Sequence, residues 1–273
     1  EASGARPSVP HRSDGFDERR RAGPPRAAAP FLGGPLSLCD TAAVKWSFGI
    51  GRIAGIRIEL HVTFVLFVIW LAGSQGVAAG DAGRALATAA LLLLIFSCVL
   101  LHELGHALTA RRYGIRTRDI VLLPIGGVAS LERMPDNPRH EIVVALAGPA
   151  VNVVIVAILL GLLVALDQPT RLLEFGGGFV ATLLAVNVMM VLFNLIPAFP
   201  MDGGRVLRAV LALRLPYVKA TRIAATLGQA VAVLFGLWGI VGGTPTLLFV
   251  ALFVFLAAGQ ERAMVQARHH MSG

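Results

Sequence analysis

The stretch Leu100-Leu101-His102-Glu103-Leu104-Gly105-His106-Ala107 spells H-E-x-x-H at the end of a run, Ala85 to Leu101, that is almost wholly apolar. Two imidazoles at i and i+4 lie one above the other on a helix face. That spacing offers two nitrogens to one zinc ion. Glu103 follows the first of them and can reach a water at the metal without ligating the metal itself. An ionised side chain at a bilayer centre costs roughly 2.5–3.5 kcal/mol on insertion scales. A chain therefore keeps such a residue there when it faces a polar cavity or a metal. The bland alternative, a membrane helix whose polar end spells the motif by chance, also needs the match to fall at a membrane boundary.

Composition agrees with a membrane setting. Of 273 residues 56% are hydrophobic and 15% charged, which excludes an ordinary soluble domain. The formal net charge is +8, but Lys and Arg cluster in short loops between apolar runs. That is the positive-inside pattern rather than a nucleic-acid surface. Cys39 and Cys98 make no disulfide framework, since Cys98 lies within an apolar span and Cys39 outside one.

Taken in order, residues 1–45 read as a disordered basic tail. Ile56-Arg57-Ile58-Glu59-Leu60 alternates and suggests a short strand at the membrane surface. Six spans follow, over His61 to Ala72 (extending toward Ala79), Arg84 to Tyr113, Glu141 to Leu166, Phe179 to Ile196, Tyr217 to Val241 and Thr246 to Ala258. The insert Asp119 to Ala129 is apolar but broken by Pro124, Gly126 and Gly127, and reads as strand–turn–strand. Such backbone is tolerated at membrane depth only where protein buries it or it lines a cavity. The fold expected is an α-helical polytopic membrane protein of about six transmembrane helices with a short membrane-associated β element. It occupies residues 46–265, with a polar end over 266–273.

Orientation follows from charge. Arg111, Arg112, Arg116 and Arg118 follow the second span, Arg205, Arg208, Arg214, Lys219 and Arg222 the fourth, and Arg262 and Arg268 the sixth. These loops share one side of a six-span chain, which is then cytoplasmic. Both termini and the motif end of the second span face the same way.

Catalytic zinc takes three protein ligands and a water. Asp202 is the favoured third ligand: it is the acidic residue near the cytoplasmic end of the fourth span. Pro197 and Pro200 break the helix before it, and Gly203 and Gly204 permit close approach. The rival is Cys98, four residues before His102. However, Cys98, His102 and His106 would string along roughly 12 Å of helix rather than surround an ion. On zinc, water's pKa falls to about 7, and Glu103 is the candidate proton acceptor. Asn194 is placed to donate to the developing oxyanion. Asn187 lies two helical turns before Asn194 on a similar face, and Asn152, after Gly148-Pro149 in the third span, is a candidate to line the same cavity and contact substrate. For both, interhelical hydrogen bonding is the favoured reading.

His102-Glu103-Leu104-Gly105-His106 in a membrane helix, followed by Asn194-x-x-Pro197 and Asp202-Gly203, resembles the site-2 protease family of intramembrane zinc metalloproteases. The resemblance covers about Trp46 to Glu261. It implies that His102, His106 and Asp202 bind one Zn2+ per chain, that Glu103 is the catalytic acid–base, and that Asn194 assists the oxyanion. It also implies cleavage of membrane-embedded segments of membrane-protein substrates, in regulated intramembrane proteolysis. Pro124-Ile125-Gly126-Gly127 is similar to the family's Gly-containing membrane loop, so Gly126 and Gly127 are candidate substrate contacts, holding unwound chain as an added strand. Met201 stands where the family commonly has Leu. The insert between the second and third spans is too short for the PDZ domain that many members carry. The branch without it often carries a cytoplasmic regulatory domain after the last span. The lipid bilayer is the expected surrounding, a bacterial plasma membrane the expected location, and nucleic acid is not an expected partner. The competing readings are a zinc-binding membrane protein without proteolysis and a transporter, although no paired repeat of the kind transporters show is visible.

Overall fold

A computed structural model describes residues 46–133, 135, 137–166 and 178–271. The tail read over 1–45 and the connection near Asp167 to Glu174 lie outside the described residues. Among the described residues the elements run β1 (Ser47–Ile53), β2 (Ile56–His61), α1 (Val62–Ala79), α2 (Ala82–Arg112), β3 (Thr117–Leu123), β4 (Gly126–Leu131), α3 (Pro138–Ala165), α4 (Phe179–Asn194), α5 (Asp202–Ala212), α6 (Tyr217–Val241) and α7 (Pro245–Met271).

Among the described residues five helices are long and apolar enough to cross a membrane: α1, α2, α3, α6 and α7 over Pro245–Ala263. The protein is a multi-pass membrane protein. The expected fourth span is α4, an apolar helix of 16 residues, about 24 Å at 1.5 Å per residue. It stops at Asn194, and Pro197 and Pro200 follow in the irregular stretch before α5. Helix starts follow local chemistry. The Gly83 N–H donates to Asp81 Oδ1 at 2.8 Å and the Arg139 N–H to Asn137 Oδ1 at 2.9 Å, each satisfying an orphan donor of a first turn. Gly80, at φ 62°, closes α1 in the left-handed region and lets α2 begin two residues later.

The β element is larger than expected. The strand read over Ile56 to Leu60 is β2 and the insert is the β3–β4 hairpin, but both belong to one four-stranded sheet in the order β1-β2-β3-β4. β2 and β3 pair in parallel, Ile58 opposite Ile120 and Leu60 opposite Leu122. β1 escapes a reading by alternation because Gly49 and Gly51 interrupt it and the register shifts between them. The sheet is seated on α2: Ile56, Ile58 and Ile120 bury against Leu104 and Ala107. It thereby brings β4 alongside the metal motif.

Three further features position the site. Gly105 lets α2 approach α3 closely, since a Cβ there would stand 2.8 Å from the Ala147 carbonyl oxygen. The N-terminal ends of α2 and α4 share a cleft lined by Asp81, Arg84, Gly178 and Thr182. The motif end of α2 and Asn194 of α4 are therefore at the other end of the bundle. Ala198 and Met201, in the return toward α5, bury against Ala232 of α6 and Val254 of α7.

Candidate metal centre

His102 and His106 sit on α2 with their Nε2 atoms 3.1 Å apart. Asp202, the first residue of α5, places Oδ2 at 3.2 Å from each of them. All three are buried, at 4%, 3% and 7% exposure. Ligands at 2.0–2.1 Å from a tetrahedral zinc stand about 3.4 Å from one another. The three atoms thus outline one face of a zinc tetrahedron.

The hydrogen bonds behind the rings say which atoms are presented. His106 Nδ1 donates to the Val144 carbonyl oxygen at 2.7 Å. His102 Nδ1 donates to Asn152 Oδ1 at 2.8 Å. With Nδ1 protonated in each ring, both Nε2 atoms direct lone pairs at one point. Asp202 Oδ2, aimed at the same point, has no hydrogen-bond donor among the described residues. Two lone pairs and a carboxylate oxygen converging in a buried site repel one another unless a cation joins them. The residues present therefore fit zinc. His102, His106 and Asp202 are also a metal-capable group by proximity alone.

Gly148 of α3 completes the cradle. A Cβ there would stand 2.7 Å from His102 Nε2 and closer still to His106 Nε2. Gly148 stands before Pro149 within the third expected span, and sequence alone assigns it no role. The signal was a glycine inside a long apolar helix with no turn to make.

A cavity of about 740 Å³ opens from the metal-ligand face and is lined by Glu103, Gly126, Gly127 and Asn194 together with the three ligands. Glu103 lies against β4, where a Cβ at Gly127 would stand 2.7 Å from Glu103 Cγ. Arg205, which sequence reading assigned only to a basic loop, also lines this cavity, with Nη1 3.8 Å from Asp202 Oδ1. Gly203 and Gly204, read as permitting close approach, lie in the first turn of α5. Their bare Cα atoms pack on the backbone of the preceding segment, where a Cβ would stand 2.5 Å from the Leu195 carbonyl oxygen or 2.6 Å from Phe199 N.

Two candidates lie elsewhere. Cys98 is a buried thiol outside the ligand group. Asn152, a candidate substrate contact, does not face the cavity. It is fully buried behind His102, and its Nδ2 donates to Asn187 Oδ1 at 3.0 Å. The interhelical bond between α3 and α4 accounts for both residues, and Asn152 also fixes a ligand ring. Asn152→Ala removes the acceptor that orients His102, so we expect zinc affinity to fall about 10–100-fold. Competition against a chromogenic chelator measures it. An unchanged affinity would mean that α2 alone fixes the ring.

Comparison with known proteins agrees with this geometry. A model of the family described as Peptidase family M50 matches residues 90–177 and 177–235. A zinc metalloprotease of Methanocaldococcus jannaschii is 39% identical over 223 residues, covering 82% of this chain and 62% of the relative. Stage IV sporulation protein FB of Bacillus subtilis is 31% identical over 170 residues, covering 61% of this chain and 56% of the relative. The chain thus spans about three fifths of the length of these curated relatives. The solved structure of a site-2 protease from Methanocaldococcus jannaschii superposes with a TM-score of 0.59 at 38% identity, covering 80% of this chain and 95% of that one.

Proposed function

Since the chain belongs to peptidase family M50, we propose that it is an intramembrane zinc metalloendopeptidase that hydrolyses peptide bonds in or near the transmembrane segments of membrane-protein substrates. The observation that carries this reading is the trio of His102, His106 and Asp202, converging at 3.1–3.2 Å within an apolar bundle and opening on a cavity that also holds Glu103.

In this reading His102, His106 and Asp202 hold one zinc ion per chain. When bound, zinc supplies Lewis acidity, which polarises a carbonyl and brings water's pKa to about 7. Glu103 accepts the proton of the attacking water and delivers it to the leaving amine. Asn194 donates its side-chain amide to the oxygen on which negative charge develops. Asn152 and the Val144 carbonyl keep both imidazoles in the tautomer that presents Nε2. A helical substrate hides its carbonyls in its own hydrogen bonds, so it must unwind before attack. β4 is an edge strand of the sheet, and Gly126 and Gly127 present backbone beside Glu103. Unwound substrate laid along them regains hydrogen bonds as it loses helical ones. The distribution of Arg and Lys supports a cytoplasmic location for the motif end of α2 and for both termini, and the membrane of this reading is the plasma membrane.

The test is cleavage of a panel of tagged single-span proteins by the purified chain in liposomes, before and after zinc is stripped by 1,10-phenanthroline. The expected result is a product that disappears on stripping and returns when one equivalent of Zn2+ per chain is restored. Cleavage indifferent to the chelator would overturn the metal's part. Zinc-loaded protein that cuts no single-span substrate would overturn the activity.

A further inference from the structure

On the motif side of the bundle, outside the cavity, lies a buried charge cluster that the chemistry above does not use. Arg208 of α5 is fully buried. Its Nε donates to Glu141 Oε1 of α3 at 2.8 Å, and Nη2 donates to the same oxygen. Nη1 donates to Glu261 Oε1 of α7 at 2.5 Å. The guanidinium carbon stands 5.1 Å from the ring centroids of both Phe199 and Tyr217. Burial opposes the charge, but Glu141 first among its neighbours outweighs that and raises the Arg208 pKa above its ordinary value.

Stability alone is a poor account of this cluster. A buried ion pair is often no better than an apolar pair of the same volume. This one leaves Glu141 Oε2 without a hydrogen-bond partner among the described residues, which costs rather than contributes. What a forked guanidinium supplies is a fixed geometry, and the elements it joins are those that need one. α5 begins with Asp202, six residues or about 9 Å before Arg208. α3 carries Glu141 three residues before Val144, whose carbonyl holds His106, and seven before Gly148. A functional constellation tolerates errors of about 0.5 Å. Both imidazoles are tied to α3, through Asn152 and Val144, so a slide of α5 along α3 changes the separation of Asp202 Oδ2 from them.

We propose that Arg208 is a positioning residue: by fastening α5 to α3 through Glu141, it holds Asp202 at the separation from His102 and His106 that a shared metal ion requires. The proposal rests on the reading of that trio as a metal site.

The experiment compares the parent chain, His102→Ala, Arg208→Met and the double variant Arg208→Met/Glu141→Leu. Each is titrated with Zn2+ in competition with a chelator and with Co2+ followed by its visible ligand-field band. Thermal unfolding of the metal-free proteins in detergent is followed alongside. In Arg208→Met we expect zinc binding to weaken about tenfold or more and the Co2+ band to shift. The double variant, with an apolar pair in place of the charged one, recovers the parent's metal-free unfolding temperature but not its metal affinity or Co2+ spectrum. Parent-like zinc binding and an unshifted band in Arg208→Met overturn the proposal. So does a double variant that recovers stability and metal binding together, which makes the cluster a fold element only. If neither variant folds, the cluster has no separable action on the metal and the proposal also fails. A parent that binds no more metal than His102→Ala overturns the metal-site reading itself, and this inference with it.

Discussion

Glu103→Gln keeps the parent's zinc content and loses about 10²–10⁴-fold in the rate of cleavage of a single-span substrate. The two halves of that result come from different parts of the geometry. Zinc is kept because the group able to hold it is His102, His106 and Asp202, and Glu103 is not among them. One position on from His102, the Glu103 side chain turns about 100° around the helix and lies against Gly127 rather than at the point where the three ligand atoms converge. Rate is lost because Gln has the same shape but cannot accept the proton of an attacking water. Metal analysis of the purified variant and single-turnover cleavage in liposomes, side by side with the parent, read out the two halves separately. Loss of zinc in Glu103→Gln would make the carboxylate part of the metal site. Cleavage at the parent's rate would put the base elsewhere in the cavity, and the proposed chemistry would need another proton acceptor.

What the sequence made legible here is what short spacing and membrane thermodynamics dictate. H-E-x-x-H is local: a helix of 3.6 residues per turn brings His102 and His106 together without any tertiary information. Asp202 was within reach because an acidic residue beside paired prolines and glycines at the end of an apolar span has few other reasons to be there. The six apolar helices follow from run length. The sheet was only half legible. β2 alternates and the β3–β4 hairpin is marked by the Pro and Gly that break its apolar run, but the parallel pairing of Ile58 with Ile120 joins segments separated by two helices, and no local pattern announces it. α5 was hidden because Pro197, Pro200, Gly203 and Gly204 read as the broken end of a span, whereas the two glycines make their expected close approach, against 195–199, from within a helix. Arg208 was counted among loop charges, since a run of basic residues after a span reads as positive-inside whether or not one of them is buried. Asn152 was recognised as polar within a span, but whether an asparagine faces a cavity or the back of a ligand depends on helix rotation, which only packing sets.

Gly148→Ala is expected to remove zinc as thoroughly as His102→Ala does, although it touches no ligand and adds one methyl group. By helix propensity alone the substitution favours α3 by about 1 kcal/mol, so the metal-free fold should stand. The methyl group, however, enters the space in front of both Nε2 atoms, 2.7 Å from that of His102 and nearer still to that of His106. Such contacts are relieved only if something moves, and neither ring is free to swing. His106 is tied through Nδ1 to the Val144 carbonyl, and His102 through Nδ1 to Asn152. Both anchors belong to α3, the helix that carries the new methyl group. Turning the rings away breaks the bonds that select their tautomer. Moving α3 back instead separates it from Gly105, where α2 and α3 touch at the Ala147 backbone. Either response spoils the convergence of ligand atoms. Gly161→Ala is the control: it lies on the same helix, with nothing within 4 Å of its added Cβ, and should keep both fold and zinc. Elemental analysis and circular dichroism of the two variants decide the matter. A zinc-replete Gly148→Ala protein would mean that the metal is held away from the face the three ligand atoms outline, and the ligand assignment itself would have to be redrawn.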